Sequence, residues 1–280
     1  GHHNYLYLAM IRTTRIIPFI AKNVRNIVTS TVCGTKNNII KISMSSQPVN
    51  SLSLPLIKAV TNAFVEAGQD DTCKGIILNS STRAFSAGLD LNELSNRTDD
   101  ELYIFWSSFQ NMLFTVYNSD KAVIAEIAGA APAGGTMLAT CCDVRIGTDK
   151  APIGLNEAAF GLIPPYFGVD MLDDIVGKRV SWKASSLGTM FKPQDALTIG
   201  LYDIIASNEE IESISIEECE KWIKAPGRLH TKRMLHQERL TKWRAGFEEE
   251  CLTFVQRVQD PRTQKMISSY LESLSMKKKK

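Results

Sequence analysis

Val123-Ile-Ala-Glu-Ile-Ala-Gly-Ala-Ala-Pro-Ala-Gly-Gly-Thr-Met137 is an apolar strand that runs into a turn of small residues and then into the start of a helix. The β-branched Val123, Ile124 and Ile127 suit a pleated, buried strand. Gly134-Gly135 opens the backbone where the helix begins. The first N–H groups of a helix have no intrahelical acceptor, so such a turn can aim a bare N–H at a developing negative charge. Phosphate loops also use glycines before a helix, but neither a G-x-G-x-x-G spacing nor a Walker lysine is present.

Two loops elsewhere in the chain suit the same task. Upstream, the all-apolar Gly75-Ile-Ile-Leu78 reads as a strand buried on both faces. It feeds Phe85-Ser-Ala-Gly-Leu-Asp-Leu91, where Ser86, Ala87 and Gly88 leave the backbone accessible and Leu89 and Leu91 can line an apolar site. Downstream, Gly154-Leu-Asn-Glu157 supplies a carboxylate among Ile153, Leu155, Phe160 and Leu162. Apolar neighbours disfavour the charged carboxylate and make it a better base. One backbone N–H from each of the Gly88 and Gly134 loops would bracket a single carbonyl oxygen, which suits an enolate or a tetrahedral oxyanion.

The remaining pattern is α/β. Residues 39–44 alternate like a strand, and Ser53 is placed to cap a helix with Pro55 in its first turn and Gly68 closing it. Thr98-Asp-Asp-Glu101 is a capping box. The helix it opens carries Leu102, Phe105, Trp106, Phe109, Met112, Leu113 and Val116 at helical spacing, a stripe for core packing. Strands are expected at 121–127, 144–147 and 202–205, and helices near 170–176, 179–187 and 194–199. From Glu209 the pattern is helical, with Asp260-Pro261 starting the last helix. Strand and helix alternate from about residue 38 to 150, as in an α/β domain.

The chain of 280 residues is 44% hydrophobic and 22% charged, an ordinary globular composition. Its net charge of +2 gives no basic footprint for nucleic acid. No uninterrupted apolar run is long enough to cross a bilayer. Six cysteines without a C-x-x-C pair read as reduced, buried thiols. No histidine accompanies the glycine turn, which argues against a Ser-His-Asp triad or a His-rich metal site there. No Asp or Glu precedes Glu66. Arg12, Arg15, Lys22 and Arg25 share one side of a helical projection and most intervening aliphatics share the other, with Pro18 interrupting. That is the composition of a mitochondrial transit peptide, and residues 1–35 are read as a leader.

Together the motifs resemble the crotonase (enoyl-CoA hydratase/isomerase) superfamily. The resemblance rests on residues 85–90, Gly129-Ala-Ala-Pro-Ala-Gly-Gly135, Cys142-Asp-Val-Arg-Ile146 and the loop around Glu157. It implies a crotonase-like ββα spiral core over residues 36–205 and a C-terminal helical trimerisation region over 206–280. It also implies an acyl-CoA substrate, with the N–H groups of Ala87 and Gly134 as the oxyanion hole. Ala87, Gly88, Leu89, Asp90 and Leu91 would border the bound coenzyme A, with Gly134 and Asn156 also against substrate. Coenzyme A would be part of the substrate; neither a separate cofactor nor a metal is expected.

Within the resemblance, the acids decide the reaction. Hydratases of the family use two glutamates, one three residues after the oxyanion-hole glycine and one in the following loop. The first position is Met137, which cannot hold or activate water; the second is Glu157. Residues 152–164 and 48–54 look closest to the family's mitochondrial short-chain Δ3-Δ2-enoyl-CoA isomerases. That implies a shift of a 3-cis or 3-trans double bond to 2-trans in fatty-acid β-oxidation, with Glu157 as the catalytic proton shuttle, in a homotrimer of the mitochondrial matrix. The alternatives are a hydratase or thioester hydrolase, or a catalytically silent acyl-CoA-binding protein of the same fold. Tyr166 and Phe167 are expected to shape the acyl tunnel. Asp90 and Asp143 read as caps or loop ties. Glu126 departs from the family pattern and faces a subunit interface or pairs with a cation, with a second catalytic role as the remote alternative; Ala128 stands where the family usually has Asn.

Overall fold

In the computed structural model, which describes residues 27–36 and 38–278, strands and helices alternate to build a six-stranded sheet. Strands β1 (Val28–Cys33), β2 (Ile39–Met44), β3 (Gly75–Ser80), β4 (Ala122–Ile127), β6 (Val144–Thr148) and β8 (Ile204–Ala206) lie side by side in that order. β1 pairs antiparallel with β2, and every later pair is parallel. β5 (Ala131–Pro132) and β7 (Ile153–Gly154) form a separate, short parallel ladder. The helices are α1 (Leu54–Gln69), α2 (Asp99–Tyr117), α3 (Gly134–Thr140), α4 (Tyr166–Val176), α5 (Lys178–Leu187), α6 (Pro193–Thr198), α7 (Ile211–Lys224), α8 (Arg228–Gln259) and α9 (Pro261–Lys278).

Side chains alternate across a strand, so an all-apolar strand must be covered on both faces. β3 follows this rule. Ile76 and Leu78 enter the main core with α1 and α2, and Ile77 enters a second core under α7 with Ile39, Ile124 and Ile146. α7 comes so close at Gly75 that a Cβ there would lie 2.3 Å from the Cys219 sulfur.

The capping box of α2 forms as expected, with Thr98 and Glu101 satisfying each other's backbone N–H groups. α1 differs at both ends. Ser53 occupies the N-cap without a side-chain bond, and the Leu54 N–H donates instead to Glu93 Oε1 at 3.2 Å. Gly68 does not close the helix; it continues to Gln69 and stops at the extended Asp70. α4 begins at Tyr166, ahead of the expected 170, because extended Pro165 sets its entry. Asp143 is a loop tie: one carboxylate oxygen accepts the Val123 N–H at 2.8 Å and the other pairs with buried Lys232 at 2.8 Å.

The N-terminal boundary needs correction. Residues 1–26 lie outside the described residues, but Val28–Cys33, inside the stretch read as leader, is a strand in register with β2 from Val28↔Met44 to Cys33↔Ile39. The sheet therefore starts before residue 36. The helical tail shares the main core: Leu240, Trp243, Cys251 and Val255 are buried with Phe109 and Met137, and Trp106 stacks on Phe254 with ring centroids 3.9 Å apart.

Candidate active site

The Phe85–Leu91 loop is fixed from beneath by residues 46–52. Asn50 is fully buried with φ +48°, and its amide donates to Ser80 Oγ at 2.7 Å and to the Phe85 carbonyl at 3.1 Å. Ser86 Oγ donates back to the Asn50 carbonyl at 2.8 Å. The loop backbone then runs beside Leu52. The Ala87 N–H donates to the Val49 carbonyl at 2.9 Å, the Leu52 N–H to the Gly88 carbonyl at 2.8 Å, and the Asp90 N–H to the Leu52 carbonyl at 3.3 Å. Along extended backbone, successive N–H groups point to opposite sides. Leu89 is the residue whose N–H faces away from Leu52, and it donates to no atom of the described residues.

This overturns one expectation. Ala87 was expected to offer a free donor, but its N–H is consumed by Val49. The free N–H belongs to Leu89, two residues on, directly after Gly88. Gly88 has φ +81°, and a Cβ on it would lie 3.3 Å from the Gly134 nitrogen and 3.1 Å from the Ala133 Cβ. The two loops thus touch at the pair of glycines. Asp90 accepts the Asn92 N–H at 3.0 Å and caps the short 3-10 turn at Leu91–Glu93, the capping role expected of it.

The second loop enters α3 through Ala133, which has φ +49° and ψ −120°, a conformation that a residue with a Cβ seldom adopts. Gly134, the first residue of α3, has no acceptor for its N–H among the described residues. A Cβ at Gly134 would sit 3.2 Å from Leu52 Cδ1 and 3.4 Å from Phe109 Cζ, so apolar side chains already wall this point.

Glu157 starts a 3-10 turn, Glu157–Phe160, after Asn156 at its N-cap. Its Oε2 is buried and has no hydrogen-bond partner among the described residues. Desolvation pushes the carboxyl up to about 7, against the opposing pull of its own backbone N–H. Of the four apolar neighbours expected, Ile153 and Leu155 are buried. Phe160 turns instead to Tyr270 of α9, with ring centroids 4.9 Å apart. α9 packs on the segment after the Leu91–Glu93 turn and on the segment after Glu157. Gln264 donates to the Leu94 carbonyl at 2.9 Å, and a Cβ at Gly161 would lie 2.6 Å from the Met266 sulfur.

Met137 is buried on α3 and packs on α4; a Cβ at Gly168 would lie 3.1 Å from its sulfur. The two expected tunnel residues separate. Phe167 is buried 6.4 Å from Phe109, centroid to centroid, whereas Tyr166 is exposed and its hydroxyl accepts from Lys242 at 2.7 Å. Glu126 has a cation beside it: Lys41, which hydrogen-bonds Glu212, lies 3.9 Å away, and Asn79 donates to Glu126 at 2.8 Å, on the face of the sheet that carries α7. Among the described residues, no three His, Cys, Asp or Glu side chains are grouped to hold a metal.

Sequence reasoning passed over Asn50, Ala133 and Thr136. Asn50 and Thr136 are polar and fully buried, and their bonds set the two loops; their types carry no signal without the fold.

A family described as enoyl-CoA hydratase/isomerase matches residues 34–279. Enoyl-CoA delta isomerase 1, mitochondrial, of Mus musculus is 34% identical over 242 residues, covering 85% of this chain and 84% of that protein. The Homo sapiens protein of the same name is 31% identical over 242 residues, covering 85% of this chain and 80% of its own. The crystal structure of human mitochondrial delta3-delta2-enoyl-CoA isomerase superposes with a TM-score of 0.87 at 30% identity, over 90% of this chain and 99% of that one. An enoyl-CoA hydratase from Bacillus halodurans, 23% identical with a TM-score of 0.77 over 87% of this chain and 99% of that one, shares the fold.

Proposed function

Because this chain belongs to the enoyl-CoA hydratase/isomerase family, we propose that it is a Δ3-Δ2-enoyl-CoA isomerase of fatty-acid β-oxidation, moving a 3-cis or 3-trans double bond of an acyl-CoA to 2-trans. The observation that carries the reading is the asymmetry of the two acid positions. Glu157 keeps a buried, unpartnered oxygen, and Met137 fills its place with apolar packing. One carboxylate suffices to move a proton from C2 to C4. Adding water across a double bond requires the water to be held and activated, and a methionine thioether is only a weak acceptor and no base.

The thioester carbonyl oxygen sits between the Leu89 and Gly134 N–H groups. Glu157, ionised, takes a proton from C2, and the electron pair moves into the carbonyl to give a dienolate. The two N–H groups take up the negative charge; each such donor is worth about 3 kcal/mol in the transition state. Protonated Glu157 then returns the proton at C4 as the carbonyl re-forms, leaving the double bond at C2–C3. A carboxyl near 7 is matched to both halves of this cycle. Residues 87–91 and Asn156 border the coenzyme A moiety, which belongs to the substrate, and no resident cofactor takes part. The names of the mouse and human relatives and the basic, acid-free composition of the first residues support a mitochondrial location; the matrix is the proposed compartment. A homotrimer is the proposed assembly.

The test compares two substrates. Purified protein converts 3-enoyl-CoA to 2-trans-enoyl-CoA and hydrates crotonyl-CoA poorly; the reverse preference contradicts the isomerase assignment.

A further inference from the structure

Thr136, the third residue of α3, is fully buried. Its Oγ1 lies 2.5 Å from the Ala131 carbonyl, 3.0 Å from the Gly154 carbonyl and 2.8 Å from the Gly154 nitrogen. A hydroxyl has one proton to give. The shortest contact assigns it to Ala131, and a lone pair accepts the Gly154 N–H. The Gly154 carbonyl in turn accepts the N–H of Ala133 at 2.9 Å, the residue whose unusual φ and ψ aim the Gly134 N–H. On its other side Gly154 is pressed against Thr189, where a Cβ would meet the carbonyl oxygen at 2.2 Å. Glu157 follows Gly154 by three residues. One hydroxyl therefore joins the turn that presents the oxyanion donor to the strand that delivers the base.

We propose that Thr136 is a positioning residue that sets the Gly134 N–H and Glu157 in register through this buried hydroxyl, an inference that rests on the isomerase reading above. Threonine is required for its oxygen, and the methyl group only fills space. Valine keeps the shape and removes the bonds, leaving the Gly154 N–H and one Ala131 lone pair without a partner in a buried site. Freed from Thr136, the Gly154 segment relaxes, and the Ala133 peptide rotates toward a commoner conformation. Displacement of this kind lowers the rate of the chemical step and leaves ground-state binding intact.

The experiment uses Thr136→Val and Thr136→Ser on the full chain, with Thr136→Ala replacing valine if that variant does not fold. Three quantities are read: kcat and KM for 3-enoyl-CoA, Kd for a saturated acyl-CoA, and Kd for a 3-ketoacyl-CoA bound as its enolate, followed by enolate absorbance. Thr136→Val lowers kcat about 30- to 300-fold, keeps KM and saturated acyl-CoA binding within threefold, and weakens enolate binding by a factor matching the loss in kcat. Thr136→Ser stays within threefold of wild type in all three. A valine variant with kcat near wild type, a serine variant as impaired as valine, or equal loss of saturated and enolate ligands overturns the proposal. Wild-type protein with no isomerisation would overturn the functional reading alone. Thr136 is then judged by the enolate arm, where valine must lose at least tenfold in enolate over saturated selectivity, and unchanged enolate selectivity overturns it.

Discussion

Leu52 and Leu89 pair in parallel register, with the Leu52 N–H on the Gly88 carbonyl at 2.8 Å and the Asp90 N–H on the Leu52 carbonyl at 3.3 Å. The pairing points the Leu89 N–H away from Leu52, and the preceding Gly88 lies against the start of α3, where a Cβ on it would come within 3.3 Å of the Gly134 nitrogen. Which N–H of the loop stays free is thus decided by a segment upstream of the loop itself.

Amide exchange distinguishes the two N–H groups. The Ala87 amide, bonded to Val49, is protected with or without ligand. The Leu89 and Gly134 amides exchange readily in the free protein and become protected when an acyl-CoA binds. Protection gained at Ala87 and not at Leu89 would return the role to Ala87.

Gly88 tolerates no side chain, for two reasons. Its φ of +81° strains an L-residue, and a Cβ would meet Ala133 at 3.1 Å and the Gly134 nitrogen at 3.3 Å. Gly88→Ala therefore costs about 1–2 kcal/mol of stability and lowers kcat/KM about 100-fold by displacing an oxyanion donor. Thermal melts and steady-state kinetics on one preparation check both figures.

The raised carboxyl of Glu157 gives two pH dependences. As base it must be ionised, so kcat/KM rises tenfold per pH unit up to about 7 and then levels. For stability, the unfolded carboxyl releases its proton near the ordinary 4.5 and the folded one near 7, so the folded state holds more protons between these values. Folding stability then falls as pH rises through that window. Glu157→Gln escapes this penalty and is the more stable protein above pH 7, by up to roughly 3 kcal/mol. The two converge below the unfolded value. Chemical denaturation across pH measures the gap.

Met137 serves packing and carries no proton. Met137→Ala leaves a hole against Gly168 and costs about 2–4 kcal/mol, yet kcat measured well below the melting temperature stays within threefold. A kcat loss of a hundredfold in folded protein would give Met137 a part in the chemistry.

Much of the fold was legible because its signals are local. The apolar run at Gly75 marked a strand buried on both faces, and the Thr98 capping box marked the start of α2. The contact between the Gly88 and Gly134 loops was likewise readable from their small residues. What stayed hidden depends on contacts remote in sequence. Which N–H in residues 87–89 is free is set by Val49 and Leu52, the capping of the start of α1 by Glu93, and the separation of Tyr166 from Phe167 by α8. β1 escaped because Val28–Cys33 continues the acid-free composition of the preceding residues, and only its pairing with β2 identifies it as part of the sheet.

The most direct measurement is single-turnover conversion of 3-trans-enoyl-CoA by Glu157→Gln beside wild type, with acyl-CoA binding measured on the same samples. With Glu157 as the sole proton carrier, binding stays within threefold and the rate falls at least about 1,000-fold. A variant that binds acyl-CoA and isomerises within tenfold of wild type would contradict the account.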